Sequence, residues 1–434
     1  MKKKSLALFC SALMLAGTLT GCGKNIDDAA QIPIGSNGQQ IVNLMYDVQA
    51  KKSGSGTTVS PEATAAATNF GLRLLSGSME EGKNTLVSPL SVLMALGMTA
   101  NGADKETLEQ MEEVFGMTRS ELNQYLHAYT KKLPQGEKYK LTLADSIWIK
   151  DSAGLQINND FLQVNADWYD AQIYQAPFID ATKKEINNWV KRNTDGMIPE
   201  ILDRIAPENI MYLINALAFD AEWEQIYKTD QIHDGIFTAA DGTEQKVKMM
   251  YSGESLYLED KAASGFVKYY AGDSYAFAAL LPKEGVSLAD YVSSLTGERI
   301  NELLSNPQET SVNAAIPKFQ CQYSVELSDI LKAMGMTDAF DSDSADFSPM
   351  LAAESFDAGM VEPIYIDRVL HKTYIALDEK GTRAGAVTAV AMSGGAALED
   401  KKVKVVHLDR PFVYMLIDCE ENLPVFIGTL ERVK

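Results

Sequence analysis

Apolar residues recur at helical spacing in some stretches and run nearly unbroken in others. Thr182-Lys183-Lys184-Glu185 reads as a capping box opening a helix whose buried face carries Ile186, Trp189 and Val190, with Gly196 just past its end. From Ser324 to Met334, Leu327, Ile330, Leu331 and Met334 fall on one helical face, stopped by Gly335. Strands are predicted for Leu141 to Ile149, Met211 to Phe219, Tyr275 to Leu281, Val312 to Phe319, Lys372 to Leu377, Pro411 to Ile417 and Val425 to Leu430. Several are apolar on both faces, which predicts central positions in a sheet. Helices come first and strands mostly later, without a regular βα rhythm, so the expected class is α+β.

A chain of 434 residues could hold two or three domains. From about Pro61 onward, however, no linker, repeat or low-complexity stretch interrupts it, which predicts one large domain over residues 61–434. The N-terminus has the layout of an export signal, residues 1–21, with Lys2-Lys3-Lys4 ahead of an apolar run from Leu6 to Gly17 that is too short to span a membrane. Leu19-Thr20-Gly21-Cys22 resembles the lipobox of bacterial lipoproteins, which implies lipidation of Cys22 and an outward-facing anchor at the cell envelope. Residues 22–60 are mostly polar with one short apolar patch, Ile41 to Tyr46. They end in Lys51-Lys52-Ser53-Gly54-Ser55-Gly56 and read as a flexible tether.

Thirty-nine basic against 59 acidic side chains leave a formal charge of −20, which phosphate backbones would repel, so nucleic-acid binding is excluded. No nucleophile elbow, His-Glu-x-x-His, Cys-x-x-Cys or phosphate-binding glycine loop occurs, and no metal or cofactor is expected. Asp341-Ser342-Asp343-Ser344 hints at a calcium loop, but Ala345 and Asp346 break the pattern and a self-capped turn is the simpler reading. Cys10 would leave with the signal, and Cys321 and Cys419 are expected as two buried thiols.

Five separated motifs carry a resemblance. They are Asn84 to Leu96 with Ser88-Pro89 and Ser91; Ile186-Asn187-Asn188-Trp189-Val190; Ile214-Asn215-Ala216 with Trp223; Pro317-Lys318-Phe319 through Ala345-Asp346-Phe347-Ser348; and His371-Lys372 followed by Asp378-Glu379-Lys380-Gly381-Thr382 and Arg410-Pro411-Phe412. In this order they resemble the serpins, serine protease inhibitors of the bacterial lipoprotein type here. The resemblance implies an α+β serpin fold with a central five-stranded sheet A, two further sheets, about nine helices and an exposed reactive-centre loop. It implies a polar shutter beneath the central sheet made by Ser88, Ser91, Asn215 and His371. It also implies a hinge at Glu379, Gly381, Thr382, Ala384, Gly385 and Ala386.

If the segment after the hinge becomes a strand, Thr382, Ala384, Ala386, Thr388, Val390, Met392 and Gly394 face inward and none is charged, while Arg383 falls in the opposite register. No proline lies between Gly381 and Leu398 to delete a ladder hydrogen bond. Family spacing places the scissile bond at Gly395–Ala396, with Met392, Ala397 and Leu398 as alternative bait. The small or apolar side chains favour an elastase-like target, then a chymotrypsin- or subtilisin-like one. The implied mechanism is trapping of the acyl-enzyme by loop insertion, with the target protease as covalent partner and the inhibitor itself monomeric and not an enzyme. A non-inhibitory serpin acting as a surface binding protein, or a lipoprotein hydrolase, are the competing classes.

Overall fold

In the computed structural model, residues 29–34, 38–51, 59–134, 136–152, 155–357, 363–382 and 403–433 are described. Two sheets face each other across a common core. The first has eight strands, in the order β1 (Gln31–Pro33), β2 (Gln40–Asn43), β5 (Gln172–Ala176), β4 (Tyr139–Lys150), β6 (Met211–Glu222), β14 (Gly381–Thr382), β13 (Arg368–Leu377) and β12 (Phe319–Glu326). The second runs β15 (Lys404–His407), β11 (Gln308–Pro317), β8 (Glu244–Glu259), β9 (Ala263–Tyr269), β10 (Tyr275–Pro282), β16 (Phe412–Asp418), β17 (Leu423–Leu430) and β3 (Thr85–Val87), with β7 (Ile232–Thr238) also on β8. Ten α-helices complete the described residues: α1 (Pro61–Ser78), α2 (Pro89–Ala100), α3 (Lys105–Phe115), α4 (Arg119–Lys132), α5 (Asn159–Tyr169), α6 (Asp180–Asn193), α7 (Leu288–Ser294), α8 (Gly297–Ser305), α9 (Ser328–Ala333) and α10 (Ala353–Asp357).

The expected five-stranded core of the first sheet is β5-β4-β6-β13-β12. The two further sheets form one continuous ladder, because the long β8 pairs on both sides. Strand predictions hold within a few residues, except that Val312 to Phe319 is split at Lys318. There the chain leaves β11 in one sheet and starts β12 in the other.

Two helix boundaries differ from expectation. Helix α6 starts at Asp180 rather than at Thr182. The Thr182 hydroxyl donates to the Pro177 carbonyl instead of capping, and Ile179 stands at the cap without a side-chain bond. Ser324, Val325 and Glu326 extend β12, paired with Lys372, His371 and Leu370, so a sheet ladder replaces the expected first turn and α9 starts only at Ser328. Gly335, with φ +119, ends that helix as predicted, and the Met336 N–H closes onto the Leu331 carbonyl at 3.0 Å.

Of the tether expected over residues 22–60, the described stretches 29–34 and 38–51 differ more deeply from expectation. Strand β2 docks on the free edge of β5 through Val42–Gln175 and Asn43–Tyr174. Ile41, inside the apolar patch, is fully buried among Trp148, Tyr174, Phe178 and Trp189 under α6. Lys51 N–H then reaches Asp167 Oδ1 at 2.8 Å. An apolar strand beside an unpaired sheet edge is stabilised there by ladder bonds and burial, which polar composition alone does not reveal. Cys22 lies outside the described residues.

Candidate functional site

Helix α2 is held against the inner face of the first sheet, and all twelve of its residues are buried. Ser88 caps it, accepting from Ser91 N–H at 3.3 Å, and Pro89 supplies the first-turn φ. The Ser88 N–H donates to His371 Nε2 at 3.1 Å, so that nitrogen carries the lone pair. The opposite ring nitrogen, Nδ1, then donates to Asn215 Oδ1. Burial drives the His371 pKa down to about 3, consistent with a neutral ring. Thr373, two residues on, fastens β13 to β3 by donating to the Leu86 carbonyl at 2.8 Å.

Ser88, Ser91, Asn215 and His371 are thus brought together as expected, and the structure adds Asp145. Its Oδ1 accepts from Asn215 Nδ2 at 2.7 Å and from Ser91 Oγ at 2.9 Å. In ladder register Asp145 faces Asn215 on one side and His371 faces Asn215 on the other, so one polar row crosses β4, β6 and β13. Its Oδ2 is sealed from solvent with no partner among the described residues, and burial pushes the carboxyl well above the usual range. Sequence reading missed Asp145. The available signal was the one acidic residue within the predicted strand Leu141 to Ile149, a segment read only for its pattern.

Strands β6 and β13 pair in parallel over seven residues, from Tyr212–Arg368 to Ala218–Tyr374. Beyond that point they diverge, and β14 enters the gap, antiparallel to both: Gly381 opposite Glu222, Thr382 opposite Ala221 and opposite Leu377. Asp378 N–H donates to the Gly381 carbonyl at 2.9 Å and Lys380 N–H to Asp378 Oδ1 at 2.7 Å, forming the turn. Gly381 is required by proximity, since a Cβ there would sit 1.9 Å from the Ala221 carbonyl oxygen. Thr382 is fully buried, and its hydroxyl shares a 2.5 Å bond with Tyr270 OH.

The turn is clamped from the body. Trp223 Nε1 donates to the Asp378 carbonyl at 2.9 Å, Trp223 N–H to that of Lys380 at 2.8 Å, and Tyr227 N–H to that of Glu379 at 2.9 Å. Glu379 is ion-paired with Lys318, which holds its carboxyl below the ordinary range. Glu379, Gly381 and Thr382, expected in the hinge, thus lie together in this turn and in β14. Ala384, Gly385, Ala386, Met392, Gly395, Ala396, Ala397 and Leu398 lie outside the described residues.

Elsewhere, Asp341 Oδ1 accepts from Asp343 N–H at 3.0 Å and Oδ2 from Ser344 Oγ at 3.2 Å, a self-capped turn. Among the described residues no cluster of three potential metal ligands occurs. Neither Cys321 nor Cys419 forms a disulfide among the described residues. Cys321 is buried, whereas Cys419 is only partly so, with burial and nearby carboxylates pushing its pKa up to about 12.

The first sheet thus carries a buried polar row across β4, β6 and β13, and β14 lies paired between β6 and β13 at the end where they diverge. The sequence profile of the Serpin family (serine protease inhibitor) matches residues 65–433, and the chain belongs to that family. An uncharacterized serpin-like protein of Thermococcus kodakarensis is 27% identical over 376 residues, 85% of each chain. The thermophilic serpin tengpin in its native state is 45% identical with a TM-score of 0.84, covering 91% of this chain and 100% of tengpin. Tengpin in its latent state, at the same identity, gives a TM-score of 0.75 and covers 87% and 100%. Serpins are generally protease inhibitors rather than enzymes.

Proposed function

We propose that this serpin is a single-use inhibitor of serine proteases that traps its target by inserting the cleaved reactive loop between β6 and β13. The observation that carries the reading is β14. Two residues of the loop stem already occupy the position of the missing strand, in antiparallel register with both neighbours. Continued insertion would exchange the seven-residue parallel pairing of β6 and β13 for two antiparallel ladders. The sequence beyond Thr382 suits that fate, with an uncharged inward register through Gly394.

Protease attack on the loop forms an ester-linked acyl-enzyme. About fourteen inserted residues at about 3.3 Å each would carry the bound protease on the order of 46 Å. Distortion of its oxyanion hole would then stall deacylation, since one lost donor lowers the rate by about 10²–10³. The bait is placed at Gly395–Ala396, or at Met392, Ala397 or Leu398, with an elastase-like target favoured and a subtilisin- or chymotrypsin-like one next. Export and lipidation at Cys22 would anchor the inhibitor, as a monomer, at the cell envelope facing outward.

Incubation with elastase, chymotrypsin and trypsin tests this. A denaturant-resistant covalent complex, with a released peptide starting between residues 393 and 399, is expected with the first two. Turnover of the loop without any complex, across these and a wider protease panel, contradicts it and favours the non-inhibitory class.

A further inference from the structure

Lys268, on β9, brings a charge into the interior at the same end of the sheet as the hinge. The residue is 3% exposed. Its Nζ meets one carboxylate, Glu254 Oε1 on β8, at 2.9 Å. It also lies 4.7 Å from the centroid of the Tyr227 ring and 5.4 Å from that of Trp223. Ser252 Oγ donates to the same Glu254 oxygen at 2.6 Å and shares a hydrogen bond with Tyr227 OH at 3.2 Å, tying the carboxylate to the ring as well.

The two rings facing this ammonium belong to the residues that clamp the hinge. Trp223 binds the carbonyls of Asp378 and Lys380, and Tyr227 binds that of Glu379. Tyr270, which holds Thr382, stacks on the other partner, with its ring 4.4 Å from that of Trp223 and 9° from parallel. A buried ammonium with a single acidic partner among the described residues is an expensive way to fill space, and an apolar side chain of the same length would pack there at lower cost. What a cation adds is attraction to aromatic faces, which strengthens as water is excluded and acts on both rings at once.

We propose that Lys268 is a positioning residue for loop insertion. Its charge fixes the Trp223–Tyr227 pair and so holds Asp378 to Thr382 with two residues inserted, keeping the gap between β6 and β13 from widening until the cleaved loop draws the hinge in. The proposal rests on the inserting-sheet reading above and assigns the control of that step to one buried charge.

The test is uptake of a synthetic peptide with the sequence of residues 382–395 by the full folded chain, followed on native gels, which needs no protease. Lys268→Met is expected to take up peptide on the order of tenfold faster than the parent, and Lys268→Arg to restore the parental rate within about twofold. Leu303→Ala, a core truncation on α8, is the comparison for lowered stability, taken at temperatures an equal interval below each melting point. Tyr227→Leu, which removes one ring and leaves Lys268 and Glu254, should also accelerate uptake and serves if Lys268→Met does not fold. Uptake by Lys268→Met or Tyr227→Leu at the rate of the parent or of the Leu303→Ala comparison overturns the role of Lys268. Failure of the parent itself to take up peptide overturns the inserting-sheet reading, and this proposal with it.

Discussion

Thr382 and Tyr270 share a hydrogen bond of 2.5 Å that joins the foremost described residue of the loop stem to the body of the molecule. Both side chains are fully buried, so the position is already a core position before any protease arrives. An arginine there would have to bury an unpaired charge, which costs several kcal/mol. Thr382→Arg is therefore expected to leave loop cleavage intact while reducing covalent complex more than about tenfold, turning inhibitor into substrate. Complex yield equal to that of the parent would show that Thr382 does not insert.

The neutral His371 couples the closed sheet to pH. Its folded pKa, about 3, lies below the ordinary 6.5, so the unfolded chain binds more protons between these values. The contribution is fully present above about pH 6.5 and is lost as pH falls towards 3. His371→Ala should cost about 1–3 kcal/mol at pH 7, by orphaning Ser88 N–H and Asn215, and should flatten the acid limb of the stability curve. Urea melts at pH 7 and pH 4.5 check both; an unchanged difference between the two pH values removes the assignment.

Asp145 acts with the opposite sign. Burial raises its folded pKa above the ordinary 3.8, so its stabilising effect is present at low pH and is lost as pH rises through the raised value. Asp145→Asn keeps an oxygen for Ser91 and Asn215 but cannot ionise. The variant should match the parent below about pH 4 and be the more stable at pH 9, by on the order of 1 kcal/mol. A loss at pH 9 would mean that the carboxylate is the form the row requires.

The N-terminal arm predicts an effect on stability far from the loop. Ile41→Asp places a charge among Trp148, Tyr174 and Trp189 and should undock β2 from β5. A melting temperature lower by several degrees is expected, together with new proteolysis between residues 44 and 51. An unaltered melt would show that the docked arm contributes nothing to the native sheet.

How much of this could be read in advance depended on the kind of signal. Trp189, Asn215 and His371 sat in motifs with fixed neighbours, and Ser88, Ser91, Asn215 and His371 came together in one hydrogen-bonded group. Continuous apolar runs such as Met211 to Phe219 announced central strands, because only a strand covered on both faces tolerates them. Strand β8, sixteen residues long, went unseen because its buried and exposed positions follow no single period while it serves two pairings. Asp145 and Lys268 were invisible for a related reason. Each is a charged residue whose role is set by partners far away in sequence, Asn215 and Ser91 for one, Trp223, Tyr227 and Glu254 for the other.

If the proposed function holds, the cleaved loop reaches a lower free energy as a strand between β6 and β13 than it has outside. The most direct measurement is the melting temperature of the protein after a single cleavage in the loop, compared with the intact chain. The cleaved form is expected to melt far higher, because the inserted segment completes two antiparallel ladders and buries its uncharged face. A cleaved form that melts at or below the intact temperature would contradict it.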